Sequence, residues 1–366
     1  MDLFAAVQNW GRVLRASTSR WRAPGGFAMA AAMQRIALIL ILFILLMNGR
    51  HNMEHPPSPP ASIVVQARAI PPEDRGPPEA YGPLRMTGAW QLTSSHKAFG
   101  GISSMFVKAD GSIVGLNDTG ELFSFRVDDP SGRAFVMPLP RRPDQMDWPS
   151  WRWDSESMTR DPVSGKIWVG FELLQMICRY APDFAKREGC FSPPESWKWP
   201  PTGSFESLVR FPDGRFLVIS EMGMGPHGGH DVLLFPGDPA IWPGVRAAHL
   251  GYRPPTGYRP TDALWLGGDR LLVLNRRLTL AEGFTAVLTL VRLPPLHEGA
   301  ILRGEVIATF APPALADNFE ALALSRDAQG HPQLWVESDD NHLFLERSLL
   351  LRFALPPDWV SDRPAP

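Results

Sequence analysis

The sequence predicts an all-β fold, on three observations. The chain has 366 residues with 38 Pro, 32 Gly and 13 Trp, turn formers and aromatics that suit short strands better than helices. One five-residue pattern recurs along it at steps of 53, 50, 56 and 58 residues. Each copy is followed by a turn signature and then an apolar run of strand type. A period near 50 residues with up to four strand-like runs per copy is the mark of a propeller blade, so the expected architecture is a β-propeller.

The first element lies outside that ring. Residues 1–50 contain an unbroken apolar run, Ile36–Met47, preceded by Arg20, Arg22 and Arg35. Twelve residues make a signal-peptide core and are short for a spanning helix, so a signal peptide or an uncleaved signal anchor is expected, starting at Met1 or Met33. Residues 51–85 read as a Pro-rich linker, with "HPPSPPAS" at His55–Ser62, and a lead-in strand. The protein is therefore expected to be exported: periplasmic, or anchored to the inner membrane by this segment alone. The formal charge of −2 gives no reason to expect a nucleic-acid partner, and a monomer is expected.

The ring follows over residues 86–356, with 357–366 as a C-terminal tail. The copies are "GISSM", "DSESM", "SFESL", "PTDAL" and "NFEAL". Aligned by chemistry, their polar positions are Ser103, Glu156, Glu206, Asp262 and Glu320. A small residue comes next (Ser104, Ser157, Ser207, Ala263, Ala321), then a large apolar one. The second run of each copy ends on Asp118, Glu172, Glu221, Arg276 and Asp339. The last copy stops after three strands. Thr87–Ser94, "TGAWQLTS", precedes the first copy and is placed to supply the fourth, closing the ring and leaving no free edge. Five copies give five blades; a degenerate sixth could hide in Ile63–Ile70 or around Pro236–Pro260. Cys178 and Cys190 lie symmetrically about a turn at Pro182–Lys186, so a hairpin would pair them as a disulfide in an oxidising compartment.

This arrangement explains the acids. The first two strands of a blade are antiparallel, so the start of one lies beside the end of the other. Glu156, Glu206, Asp262 and Glu320, with Asp118, Glu172, Glu221 and Asp339, should gather at one mouth of the channel. Converging carboxylates repel unless some stay protonated or a cation neutralises them. Oxygen ligands suit Ca²⁺ best. Asp118, Glu156, Glu172, Asp262 and Asp339 are the candidate metal ligands, Glu206, Glu221 and Glu320 the candidate catalytic carboxylates, and Arg276 with Asp340 and Asn341 the candidate ligand-binding groups. The competing reading has the acids bonding backbone N–H groups and arginines at blade junctions, with no ligand. His227 and His230, in a Gly-rich loop, and Trp148, Trp151 and Trp153, before Glu156, are further candidates for the rim.

The segments "FGGISSM", "DSESMTRDPVSGKIWVGFE", "SFESLVRFPDGRFLVISE", "PTDALWLGGDRLLVLNRR" and "NFEALALSRDAQGHPQLWVESDDN" resemble the phytase-like family named for the esterase-like activity of phytase. The resemblance runs from about Met86 to Leu355. It implies an exported propeller that hydrolyses phosphate or carboxylic esters, and points to Glu156, Glu172, Glu206, Glu221, Glu320, Asp339, Asp340 and Asn341. Two departures stand out: Ser or Ala follows the acid where the family usually has Gly, and Asn275 stands where the fourth copy usually has Glu. The expected function is a Ca²⁺-dependent phosphoesterase acting on a small phosphate ester or other anionic ligand. The alternative is a non-catalytic envelope propeller that binds a small ligand or partner protein through the same mouth.

Overall fold

The computed structural model describes residues 57–366 except 146–147, 195–198, 242–245, 344–345 and 362. The chain divides into Met1–His51 and Asn52–Pro366. The expected signal or anchor segment lies outside the described residues, among which no helix is long and apolar enough to cross a membrane.

Apart from short 3₁₀ turns, the described chain is all β. It opens with β1 (Ala61–Val64), β2 (Gln66–Ala69) and β3 (Arg85–Thr93). The first copy of the repeat forms an antiparallel meander, β4 (Ile102–Val107), β5 (Ile113–Asn117), β6 (Glu121–Phe125) and β7 (Arg133–Pro138). The second forms β8 (Ser155–Arg160), β9 (Ile167–Phe171), β10 (Met176–Tyr180) and β11 (Arg187–Phe191). The third forms β12 (Ser207–Arg210), β13 (Phe216–Met224), β14 (His230–Phe235) and β15 (Ala248–Arg253). The fourth forms β16 (Arg259–Gly267), β17 (Arg270–Thr279), β18 (Gly283–Arg292) and β19 (Ile301–Phe310). The fifth has β20 (Phe319–Arg326), β21 (Pro332–Ser338) and β22 (Ser348–Ala354), and takes β3 as its fourth strand, with Leu350 opposite Trp90.

The inner strands pack side by side in the cyclic order β4–β8–β12–β16–β20–β4. A ring of antiparallel meanders around a channel is a β-propeller. One apolar cluster fills each junction between neighbouring meanders. In four of the five copies the large residue packs against the preceding meander, as with Met105 and Leu322, and the small one faces the next, as with Ala321; the fourth is reversed, with Ala263 toward the third meander and Leu264 toward the fifth. Below the mouth the channel is a cavity of about 320 Å³ lined by Met105, Met158, Leu208 and Leu322.

The two segments that could have hidden a sixth copy are used otherwise. Ile63–Ile70 runs as an outer edge across the ring's seam. Its β1 pairs with β7 of the first meander and its β2 with β3 of the last. Pro236–Pro260 contains β15, whose outer edge meets β19 in a parallel pair at Gly251–Arg253. Cys178 faces Cys190 across β10 and β11, and the two form a disulfide. The tail is fastened below the third and fourth meanders by Arg215, which donates to the carbonyls of Ala365 and Pro366 at 3.0 Å.

Candidate functional site

The mouth is built by β-bulges. In the first, second and fifth meanders the ladder between the two inner strands skips one inner residue: Ser103, Glu156 and Glu320. A bulge breaks the in–out alternation and re-aims the extra side chain. In the third, pairing starts at Ser207, directly after Glu206. The amides of Asp118, Glu172 and Asp339 donate to the carbonyls of Gly101, Asp154 and Asn318 at 2.9, 2.8 and 2.9 Å. These bonds fasten each second-strand end beside the start of its first strand. The carboxylates of both ends converge as the sequence implies.

The fourth meander departs from that reading. Its ladder runs from Pro260–Asn275 to Asp262–Leu274 and skips Thr261. Thr261, not Asp262, occupies the place of Glu156 and Glu320. Asp262 stands one residue further on, in the small-residue position that faces the next meander. Its Oδ1 accepts from the amide of Ala263 and its Oδ2 from that of Leu322, both at 2.7 Å. It therefore staples one inner strand to the next. Ser157 does the same in the second meander, donating to the carbonyl of Phe205 at 2.6 Å. Asp262 does not belong to the mouth's carboxylates: side-chain chemistry aligns it with the acids, whereas the backbone register aligns Thr261.

Asp154, Glu156 and Glu172 each bring one carboxylate oxygen to within 4.8 Å of the others'. Asp154 was missed in the sequence; its signal was a second acid two residues before Glu156 in "DSESM". Burial, and then the charge of Glu172, push the Asp154 carboxyl well above its ordinary range. Burial, followed by Asp154, Glu206, Glu172 and Glu320, does the same to Glu156.

Across the mouth Arg276 donates to Glu221 Oε1 at 2.9 Å, to Asn318 Oδ1 at 2.6 Å and to Glu320 Oε1. Burial opposes its charge, but Glu320 and Glu221 outweigh that and raise its pKa, so it stays cationic. Glu320 is still shifted upward, because burial exceeds the help from Arg276. Glu206 interacts electrostatically with Glu172 on one side and with Glu221, Glu320 and Arg276 on the other. Among the described residues its carboxyl makes no hydrogen bond. Burial first, then Glu221, Glu172 and Glu320, raise its pKa well above the ordinary value. Asp339 is raised likewise, by burial and then by Glu320 and Asp118.

The loop after β21 is fastened by its own polar groups. Asp340 accepts from the amides of Gly101 (3.0 Å) and His342 (3.1 Å) and from Ser348 Oγ (2.8 Å). Gly101 has φ +64°, and a Cβ there would lie 2.6 Å from Asp118 Oδ1, so only glycine fits. Asn341 sits at φ 46°, its amide on Asp339 Oδ1 (2.6 Å) and its side chain on Glu346 (2.7 Å). Both residues are thus committed to the loop. His342, missed in the sequence, lies with Nε2 3.7 Å from Asp118 Oδ1. Burial disfavours its charge, but Asp118, Asp340 and Glu121 raise its pKa overall.

Of the remaining candidates, His227 pairs with Glu298 at 2.6 Å. His230 is half-buried beside Glu221; burial lowers its pKa, outweighing hydrogen bonds to the Glu221 and Ser220 backbone and the Glu221 charge. Trp153 is core, against Phe171 and Trp148, and Trp151 is exposed. Asn275 is fully buried, accepts from Tyr252 OH at 2.8 Å and lies at the junction of the third and fourth meanders, not in the mouth.

A family model described as phytase-like, esterase-like activity of phytase, matches residues 97–342. No curated protein matches the chain. Among solved structures, the glutaminyl cyclase of Myxococcus xanthus aligns at 9% identity over 82% of this chain and 100% of that one, with TM-score 0.36. The RRP9 WD40 repeats align at 10% identity over 80% and 100%, with TM-score 0.40. The WD40 propeller domain of Doa1 aligns at 10% identity over 77% and 100%, with TM-score 0.38. Likeness at this level says nothing of activity.

Proposed function

The chain belongs to the phytase-like family described by its esterase-like activity, and from that premise we propose an exported hydrolase of phosphate esters, acting at the acidic mouth of a five-bladed propeller. The observation that carries the reading is the meeting of Asp154, Glu156 and Glu172 within 4.8 Å, across the mouth from the half-buried Arg276. An all-oxygen donor set of this kind fits Ca²⁺. Asp118 Oδ1, buried and facing His342 Nε2 at 3.7 Å, beyond hydrogen-bond length, adds to the fit. Asp154, Glu156 and Glu172 would hold the ion, with Asp118 and Asp339 flanking them. When bound, the ion would supply positive charge that draws in a phosphate ester and withdraws electrons from it.

The chain's own residues do the rest. Arg276 fixes Glu221 and Glu320 by hydrogen bonds, which leaves Glu206 as the carboxyl free to move a proton. Its raised pKa brings that exchange toward neutral pH. The test is hydrolysis of p-nitrophenyl phosphate and p-nitrophenyl butyrate with Ca²⁺ and with EDTA. The expected result is phosphate-ester turnover that needs Ca²⁺ and falls about 100-fold in Glu206→Gln. Butyrate turnover alone would remove the phosphate reading.

One observation favours a second reading, a non-catalytic propeller that binds a partner protein through this face. Trp151, Met222, Met224, Leu278 and Leu280 are exposed on the segments that border the mouth, as at protein interaction sites. The proposal of export, to the periplasm or to an inner-membrane anchor, rests on the Ile36–Met47 run and is supported by the Cys178–Cys190 disulfide, which belongs to an oxidising compartment.

A further inference from the structure

The inner hairpin turns at Lys108–Gly111 and Asp327–Gly330 lie at the opposite ends of their strands from the acidic mouth. Between them, at the seam where the last meander meets the first, is a cleft of about 870 Å³. That volume is in the range of small-molecule sites, roughly 300–1,000 Å³. Its walls come from the closing strand β3, from β20–β22 and from the β4–β5 and β6–β7 turns.

Five cationic side chains line this cleft: Arg85, Lys108, Arg126, Arg326 and Arg352. Two are neutralised: Lys108 pairs with Asp183 at 2.8 Å, and Arg126 grips Asp128 at 2.9 and 2.7 Å. The other three make no ion pair among the described residues. Arg326 donates to the carbonyl of Gly330 at 2.8 Å, and Arg352 Nε to Thr87 Oγ1 at 3.1 Å. The other acids of the cleft are used by their own turns. Asp110 accepts from the Ser112 amide at 2.9 Å, and Asp327 from those of Gln329 and His331 at 3.0 and 2.8 Å.

Arg352 is also held in place. Its guanidinium lies 5.3 and 5.2 Å from the ring centres of Trp90 and Trp335, which stack on each other at 6.0 Å. An arginine fixed against aromatic rings loses little further freedom when its planar donors meet an oxyanion. Gln333 and Thr87 add neutral polar groups beside it.

We infer that this seam cleft is a second ligand site, for a small molecule bearing two or more phosphate or carboxylate groups. It needs neither the acidic mouth nor any metal, and stands whether or not the mouth is catalytic. The test is calorimetric titration of the full chain at low salt with two probes, tripolyphosphate and citrate. Saturable binding of at least one is expected, weakened 10-fold or more in Arg352→Gln and in Arg326→Gln and unchanged in Glu206→Gln. Preference for tripolyphosphate assigns a phosphorylated ligand, preference for citrate a polycarboxylate. Arg326 is exposed, so its variant reports on binding even if Arg352→Gln fails to fold. No saturable heat with either probe, or binding lost in Glu206→Gln and kept in Arg326→Gln, would overturn the inference.

Discussion

Arg276→Gln is the perturbation with the largest effect expected at the mouth. Arg276 is the cation shared by Glu221 and Glu320. Removing one partner of a buried ion pair costs about 3–5 kcal/mol, since the other charge is left uncompensated. Here two carboxylates are left, beside Glu206, so the upper half of that range applies. In a domain of this size 1 kcal/mol moves the midpoint by about 2–4 °C, which gives a fall of roughly 8–20 °C at pH 7 in EDTA. The deficit should shrink with acid. Burial already holds the pKa of Glu320 and Glu206 above the ordinary value, and losing Arg276 raises both further. Protonation then removes the repulsion. Thermal melts followed by circular dichroism at about pH 7 and pH 5 read both effects, and adding Glu320→Gln to the variant should restore part of the loss. A variant that melts within about 2 °C of the parent at pH 7, or whose deficit grows in acid, would refute the reasoning.

Four further outcomes are expected. The metal-free parent should melt higher at about pH 5.5 than at pH 8. Asp154, Glu156, Glu206 and Asp339 have folded pKa values above their unfolded ones, so their contribution is complete at low pH and lost as pH rises through the folded values; a midpoint that climbs steadily from pH 5.5 to 8 contradicts this. Asp262→Asn replaces an acceptor with a donor facing the amide of Leu322 or Ala263, and should lose about 1–3 kcal/mol in urea denaturation, against no change if Asp262 served only the mouth. Leu322→Ala, in the channel wall, should lose about 2–5 kcal/mol in the same assay. Converting both Cys178 and Cys190 to Ser should lose about 2–3 kcal/mol, as expected for the short loop they close.

Much of the ring was readable because its period is set by hydrophobic runs and turns, which sequence displays directly. The convergence of Glu156, Glu172, Glu206, Glu221, Glu320 and Asp339 followed from strand antiparallelism alone. Register was not readable. "PTDAL" and "NFEAL" match by eye, yet a bulge at Thr261 turns the Asp262 carboxyl onto the backbone of the next meander. Asp154 escaped because it lies outside the aligned column, and Asn318, the neutral third partner of Arg276, because an amide carries no charge signal. The pairing of the lead-in strands over Ile63–Ile70 was hidden for another reason: they join the sheets by backbone across the seam, with few buried side chains. Arg352 with Trp90 and Trp335 joins residues far apart in the chain, which no local pattern announces.

The central claim is that the acids of the mouth form a divalent-cation site, and the most direct measurement is a thermal melt in EDTA followed by added Ca²⁺. A ligand that binds only the folded state stabilises by about 2.7 kcal/mol at 100 times its Kd, a rise of roughly 5–10 °C here. The account predicts a saturable rise in the parent and in Asp262→Asn, abolished in Glu156→Gln. No rise with Ca²⁺, or a rise that survives Glu156→Gln, would contradict it.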